Sequence, residues 1–269
     1  GIRPAVISGT SIGSVIGGMY AAGLSLEKIE KVSLQFNNKT QMLKLLSFAF
    51  QKSGIISHAN IGKFFREYVG NKKIEDCEIP FIAVTVDLIN GNLLYINKGD
   101  LVDAIQASIS IPGVFNAFEA NGTLLVDGGV RENLPLRPLQ KYKPEFIISV
   151  NLLKSNIKNS NEMFCEIDKS QKFDDKPNLN LFEKISDAFK QKTLPKFSND
   201  IPDITTTGLQ SLQYLLDENS RTKIKLYKPD MAIDLDLKKF KIWEFWRGEE
   251  LIKTGYETAK TSFENHSKK

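Results

Sequence analysis

Histidine and cysteine are scarce in this chain: its 269 residues include only two of each. Two thiols, Cys77 and Cys165, cannot build a disulfide framework, and their separation fits no metal-ligand spacing. No metal and no organic cofactor are expected. Two histidines also leave little material for histidine-based catalysis. Dense basic blocks are missing. The net charge is +4 and the Lys and Arg residues are scattered, so nucleic acid is not expected as a partner. A long hydrophobic run is missing too. Residues 5–26 carry no charge, but glycines and hydroxyl residues interrupt them, and they read as strand, turn and helix rather than a membrane span. So few thiols fit a cytoplasmic location. The sequence begins at Gly1 rather than Met, so the chain is expected to be N-terminally incomplete, and export stays open.

What is present is an ordinary globular composition with alternating strand and helix signals. Ala5–Ser8 reads as a short strand, and the small residues from Ser14 to Ala22 read as a helix closed by Gly23. Ser25 caps a second helix through Phe36, and Ser57 a third that ends at Gly70. Phe81–Val86 and Leu93–Ile96 flank Asn90-Gly91 as a hairpin. Asp100 caps a helix to Ser108, and Leu124–Val126 is a strand ending at Asp127-Gly128-Gly129. The apolar run Phe146–Val150 predicts a central strand buried on both faces. Residues 154–178 lose all periodicity and open a polar insertion reaching to about 200. Within it Leu179, Phe182, Ile185 and Phe189 mark an amphipathic helix over 178–193, which packs on the core or lies on a membrane. Helices over 207–219 and 249–261 and a strand at Met231–Ile233 follow. The expectation is one α/β domain over 1–269, with helices on both sides of a sheet.

Gly9-Thr10-Ser11-Ile12-Gly13 fits the G-x-S-x-G pattern between a strand and a helix. A sharp strand-to-helix turn pushes a serine out of the backbone, and small neighbours avoid clashes in it. The Ile12 N–H, at the helix start, can then donate to an oxyanion. Ser11 needs a base. His266 sits in a polar tail expected to fray, and His58 in the first turn of a helix, an ordinary solvent or capping position. The order Ser11, Asp127, His266 nevertheless permits a triad. The other reading is direct activation by Asp127, which follows a strand and precedes Gly128 and Gly129, residues that let another backbone come close. Partial desolvation would raise its pKa into a useful range.

Three segments occur in an order that resembles the patatin-like phospholipases: Gly9–Gly13, Ser108-Ile-Ser-Ile-Pro-Gly-Val-Phe115 and Leu125-Val-Asp-Gly-Gly-Val130. Pro229–Ile233 and Gly248–Tyr256 resemble the bacterial members as well. The resemblance implies a three-layer α/β/α sandwich around a mainly parallel sheet, and a Ser–Asp dyad without histidine. It implies a lipid acyl ester as substrate, hydrolysed through an acyl-enzyme; peripheral contact with a membrane, through the amphipathic helix over 178–193, stays open. By it Ser11 is the nucleophile and Asp127 the base, while Ile111, Pro112 and Phe115 help to shape an acyl pocket. It also implies a first strand and a glycine-rich oxyanion loop before Gly1. A non-catalytic lipid- or partner-binding member of the same fold is the alternative from another class; head group, acyl position and oligomeric state stay open.

Overall fold

The computed structural model of the chain describes residues 2–35, 58–112, 114–153, 204–237, 239–240 and 245–267. Ser57, Cys165 and the polar insertion with its helix over 178–193 lie outside them. Gly1–Ser155 and Leu212–Lys269 form one compact unit, and Asn156–Ser211 form a second. The core and the candidate site lie in the first.

Strand β1 (Ile7–Thr10) runs directly into helix α1 (Ile12–Ala21), and Gly23 turns the chain away at φ 95°. Helix α2 (Leu26–Leu34) opens at Ser25, whose side chain accepts the Lys28 N–H at 3.3 Å. Helix α3 (His58–Val69) is followed by Gly70 at φ 64°. Strands β2 (Phe81–Asp87) and β3 (Leu93–Ile96) make the expected hairpin. Asp100 caps helix α4 (Leu101–Ser108) by accepting the Asp103 N–H at 2.9 Å, while Arg66 of α3 grips its carboxylate at 2.8 and 3.1 Å. Strands β4 (Phe118–Ala120) and β5 (Thr123–Asp127) form a second hairpin; β4 carries too few residues to announce itself in the sequence. Strand β6 (Ile148–Asn151), helix α5 (Ile204–Tyr227), strand β7 (Met231–Asp234) and helix α6 (Gly248–His266) complete the described elements.

The sheet is mixed rather than mainly parallel. β1 pairs with β2 in parallel, whereas β3 and β5 pair with β2 antiparallel, and β4 joins β5. Two hairpins make the β2–β3 and β4–β5 pairs antiparallel, since a short turn can only return the chain antiparallel. The registers carry a further consequence. β1 covers Phe81–Val84 of β2, β3 covers Ala83–Val86, and β5 covers Thr85–Asp87. A strand has two edges, and β3 overlaps both of the others along β2. β1 and β5 therefore share the remaining edge and meet there end to end, Thr10 beside Val84 and Asp127 beside Thr85.

Successive β2 side chains serve opposite faces. Phe81 and Ala83 join Met19 of α1, Ile29 and Val32 of α2, Phe65 of α3 and Leu101 and Ile105 of α4 in the main core. On the other face, Tyr95 stands opposite Val84 and donates its hydroxyl proton to the fully buried Glu132 carboxylate. Lys223 of α5 lies 3.7 Å from the same carboxylate. Helices thus cover both faces, an α/β/α arrangement. The run Phe146–Val150 departs from expectation: its strand begins at Ile148, pairs among the described strands only with β7, and leaves Val150 53% exposed. An apolar run is compatible with burial on both faces, but only neighbouring elements can supply it.

Candidate active site

The turn between β1 and α1 holds Ser11 at φ 55° and ψ −127°. A non-glycine residue there is strained by about 1–3 kcal/mol and persists only where its surroundings enforce it. The enforcement is visible. Ser14 closes the first turn of α1, its N–H and hydroxyl both donating to the Ser11 carbonyl, at 2.8 and 2.6 Å. A Cβ on Gly9 would stand 2.3 Å from the Gly13 carbonyl oxygen, so only glycine lets the strand end lie on the helix start. Gly13 itself has no such obligation, since a Cβ there would meet nothing within 4 Å. Only the first glycine of the motif is required by packing. One face of β1 is tied to the segment after β5: Ser8 Oγ donates to Pro135 O at 2.6 Å, and Thr10 Oγ1 to Glu132 O at 2.9 Å.

Asp127 ends β5 and is 5% exposed. Its Oδ1 accepts the Gly129 N–H at 2.7 Å, and the Ser11 hydroxyl lies close enough to its carboxylate to lower its pKa. Gly128 is obliged here, because a Cβ would stand 2.4 Å from the Val84 carbonyl oxygen. At Gly129 a Cβ would stand 3.0 Å from Asp127 Oδ1, closer than ordinary contact. Burial pushes the Asp127 carboxyl up to about 6, against the lowering effect of the Ser11 hydroxyl and the Gly129 hydrogen bond. The Ile12 N–H, first in α1, bonds to no other described residue, as expected for the leading amides of a helix. It remains available to an anionic oxygen.

The histidines sit differently from the sequence expectation. His58 is half-buried rather than solvated. Its ring stacks on Phe115 at 5.9 Å and meets Phe118 edge-on at 5.4 Å, while Nε2 lies 2.8 Å from Asn116 O and 3.3 Å from Ser110 Oγ. Burial holds its pKa below the ordinary histidine value. The aromatic residues that enclose it come from a segment far along the chain, which local sequence cannot reveal. His266 does not fray: it ends α6, with its ring edge-on to Phe146 at 5.3 Å. Ile111 and Phe115 are half-buried and Pro112 is exposed, on the loop that leaves α4. The last residue of α4 and that loop also hold what sequence reading missed. Ser108 Oγ accepts the Ser11 N–H at 3.0 Å, and Ser110 O accepts the Asp127 N–H at 3.0 Å. Two serines at the end of a capped helix carry no sign of such contacts.

Among the described residues, no group of three or more His, Cys, Asp or Glu side chains is arranged to hold a metal ion, and no helix is long and apolar enough to cross a membrane. The fold and the site define an α/β protein that presents a serine at a strained strand-to-helix turn, beside a buried carboxylate. Residues 1–139, more than half of the chain, match the family described as patatin-like phospholipase, and the chain belongs to that family. It is 37% identical over 146 residues to an uncharacterized NTE family protein of Mycobacterium tuberculosis, across 54% of this chain and 40% of the relative. It is 28% identical over 154 residues to lysophospholipase NTE1 of Candida albicans, across 56% of this chain and 11% of the relative. Against lysophospholipase NTE1 of Cryptococcus neoformans it is 32% identical over 158 residues, 56% of this chain and 10% of the relative. The chain thus spans well under half the length of each.

One pH dependence follows from the burial of Asp127. Were Asp127 to serve as the base of a hydrolysis, it would work in its ionised form, and the rate would rise with pH through about 6 along a one-proton limb and then level off. Stability runs the other way. The fold favours the protonated carboxyl, so its contribution is complete below the unfolded value near 3.8 and is lost as pH rises through about 6. The loss amounts to about 3 kcal/mol. Rate and denaturation measurements between pH 4 and 8 check both halves. An acid limb that stays flat down to pH 4 would remove Asp127 as the titrating base.

Proposed function

We propose that the chain hydrolyses lipid acyl esters, with a phospholipid or lysophospholipid as substrate, through a Ser11–Asp127 dyad and an acyl-enzyme. The observation that carries this is a strained, elbow-borne hydroxyl placed beside a buried carboxylate whose pKa lies near 6. Ser11 Oγ passes its proton to Asp127 and attacks the ester carbonyl. The resulting oxyanion takes the Ile12 N–H. As the intermediate collapses, the ester C–O bond breaks, the leaving alcohol takes the proton from Asp127, and the acyl group stays on Ser11. Water then repeats the sequence, giving its proton to Asp127, releasing the fatty acid and restoring the Ser11 hydroxyl. Ile111, Pro112 and Phe115 lie on the loop that touches both partners through Ser108 and Ser110, which supports a role beside the acyl chain. The relatives called lysophospholipase support the substrate class. A dyad is favoured over a triad because, among the described residues, neither histidine is hydrogen-bonded to Ser11 or Asp127: His58 Nε2 lies against Asn116 O and Ser110 Oγ, and the His266 ring against Phe146.

The test is to give the chain lysophospholipid, diacyl phospholipid and a short soluble ester, and to locate a fluorophosphonate adduct by mass spectrometry. Fatty acid release from at least one lipid and an adduct on Ser11 are expected. An unlabelled Ser11 with no release from any of the three would instead favour a lipid-binding role.

A further inference from the structure

Ser108 is fully buried at the last turn of α4. Its hydroxyl does two things at once: it accepts the Ser11 N–H at 3.0 Å and donates to the Val84 carbonyl at 2.7 Å. Two residues later the Ser110 carbonyl accepts the Asp127 N–H at 3.0 Å, while the Ser110 hydroxyl anchors back on Gln106 O at 2.7 Å. One three-residue stretch therefore holds the backbone amide of both Ser11 and Asp127. We propose that Ser108 is the positioning residue that sets the Ser11 hydroxyl against the Asp127 carboxylate. The inference rests on the dyad reading and adds to it a residue that touches neither substrate nor reacting atoms.

The need for such a residue comes from the way β1 and β5 meet. They approach end to end on one edge of β2, and no ladder hydrogen bond joins one to the other across that junction. Ser11 also holds torsions that an L residue adopts only under restraint. Its N–H lies past the end of β1 and belongs to no helix ladder, so a side chain must satisfy it. Ser108 does so and passes the load to Val84 O, the same carbonyl against which Gly128 packs. β2 thus becomes the common support of nucleophile and base. Only a group that accepts and donates together serves here. Alanine does neither, and would leave a buried N–H and a buried carbonyl each short of a partner. The contact also occupies the Ser11 N–H, which keeps that amide out of the oxyanion site and leaves the role to Ile12.

Misplacing reacting groups by about 1 Å can cost on the order of 10²-fold in rate. Ser108→Ala is therefore expected to lower kcat, and the rate of fluorophosphonate labelling, by about 10- to 100-fold. KM should change less than about twofold, since Ser108 meets no substrate. The labelled fraction at the end point should stay complete, which a partly unfolded protein would not achieve. Ser108→Thr keeps the hydroxyl and should recover much of the rate. Ser108→Cys, a weaker donor and acceptor in the same space, should fall between alanine and the parent, and serves if the alanine variant does not fold. Ser11→Ala is measured in parallel: labelling that persists there overturns the dyad reading itself. With Ser11→Ala inert, an alanine or cysteine variant labelled at the parental rate overturns the role of Ser108. So does a loss confined to KM or to the labelled fraction.

Discussion

Ser11→Ala is expected to lower ester hydrolysis by about 10³- to 10⁶-fold, the range seen when a nucleophile is removed, and to abolish fluorophosphonate labelling. The reasoning begins with geometry. Ser11 stands at φ 55° with its hydroxyl beside the buried Asp127 carboxylate, whose pKa it lowers. Truncation to alanine removes the hydroxyl and keeps the Cβ, so the turn, the Ser108 contact to the backbone N–H and the Ser14 cap all survive. The variant should therefore melt close to the parent. Residual hydrolysis above a tenth of the parental rate, in protein free of contaminating esterase, would assign the nucleophile elsewhere.

Asp127→Asn should be almost as damaging to the rate and yet favourable to stability. Asparagine matches the shape of the carboxylate and can keep the acceptor for Gly129 N–H, but it cannot take a proton from Ser11. The ionised carboxylate is disfavoured at neutral pH in its buried setting, as its upward shift to about 6 records. Removing the charge should raise stability at pH 7.5 by up to about 3 kcal/mol, and the gain should vanish near pH 4, where the parent is protonated. Activity bought with instability is a common pattern at functional sites. His58→Ala and His266→Ala supply the contrast, and each should leave most hydrolysis in place. An Asp127→Asn protein that turns over normally, or a folded but inactive His266→Ala protein, would shift the assignment to another base.

Much of this was legible in the chain because it depends on near neighbours. Gly9 precedes a turn that admits no Cβ, Ser25 and Asp100 cap the helices they precede, Asn90-Gly91 turns a hairpin, and Gly128 follows a strand where another backbone presses close. Such features follow from torsions and hydrogen bonds within a few residues, which sequence spacing encodes directly. The pairing of Ser11 with Asp127 is of another kind. From residues alone, both the dyad and a triad with His266 stayed open, and the resemblance to a family favoured one of them. The structure brings the two residues together because a parallel strand and an antiparallel one end on the same edge of β2. The burial that raises the Asp127 pKa, the Phe115 and Phe118 rings around His58, the exposure of Val150 and the Ser108 contact are likewise absent from any local pattern. Each is a meeting of segments distant in sequence, decided by which faces and edges remain free once the sheet has assembled.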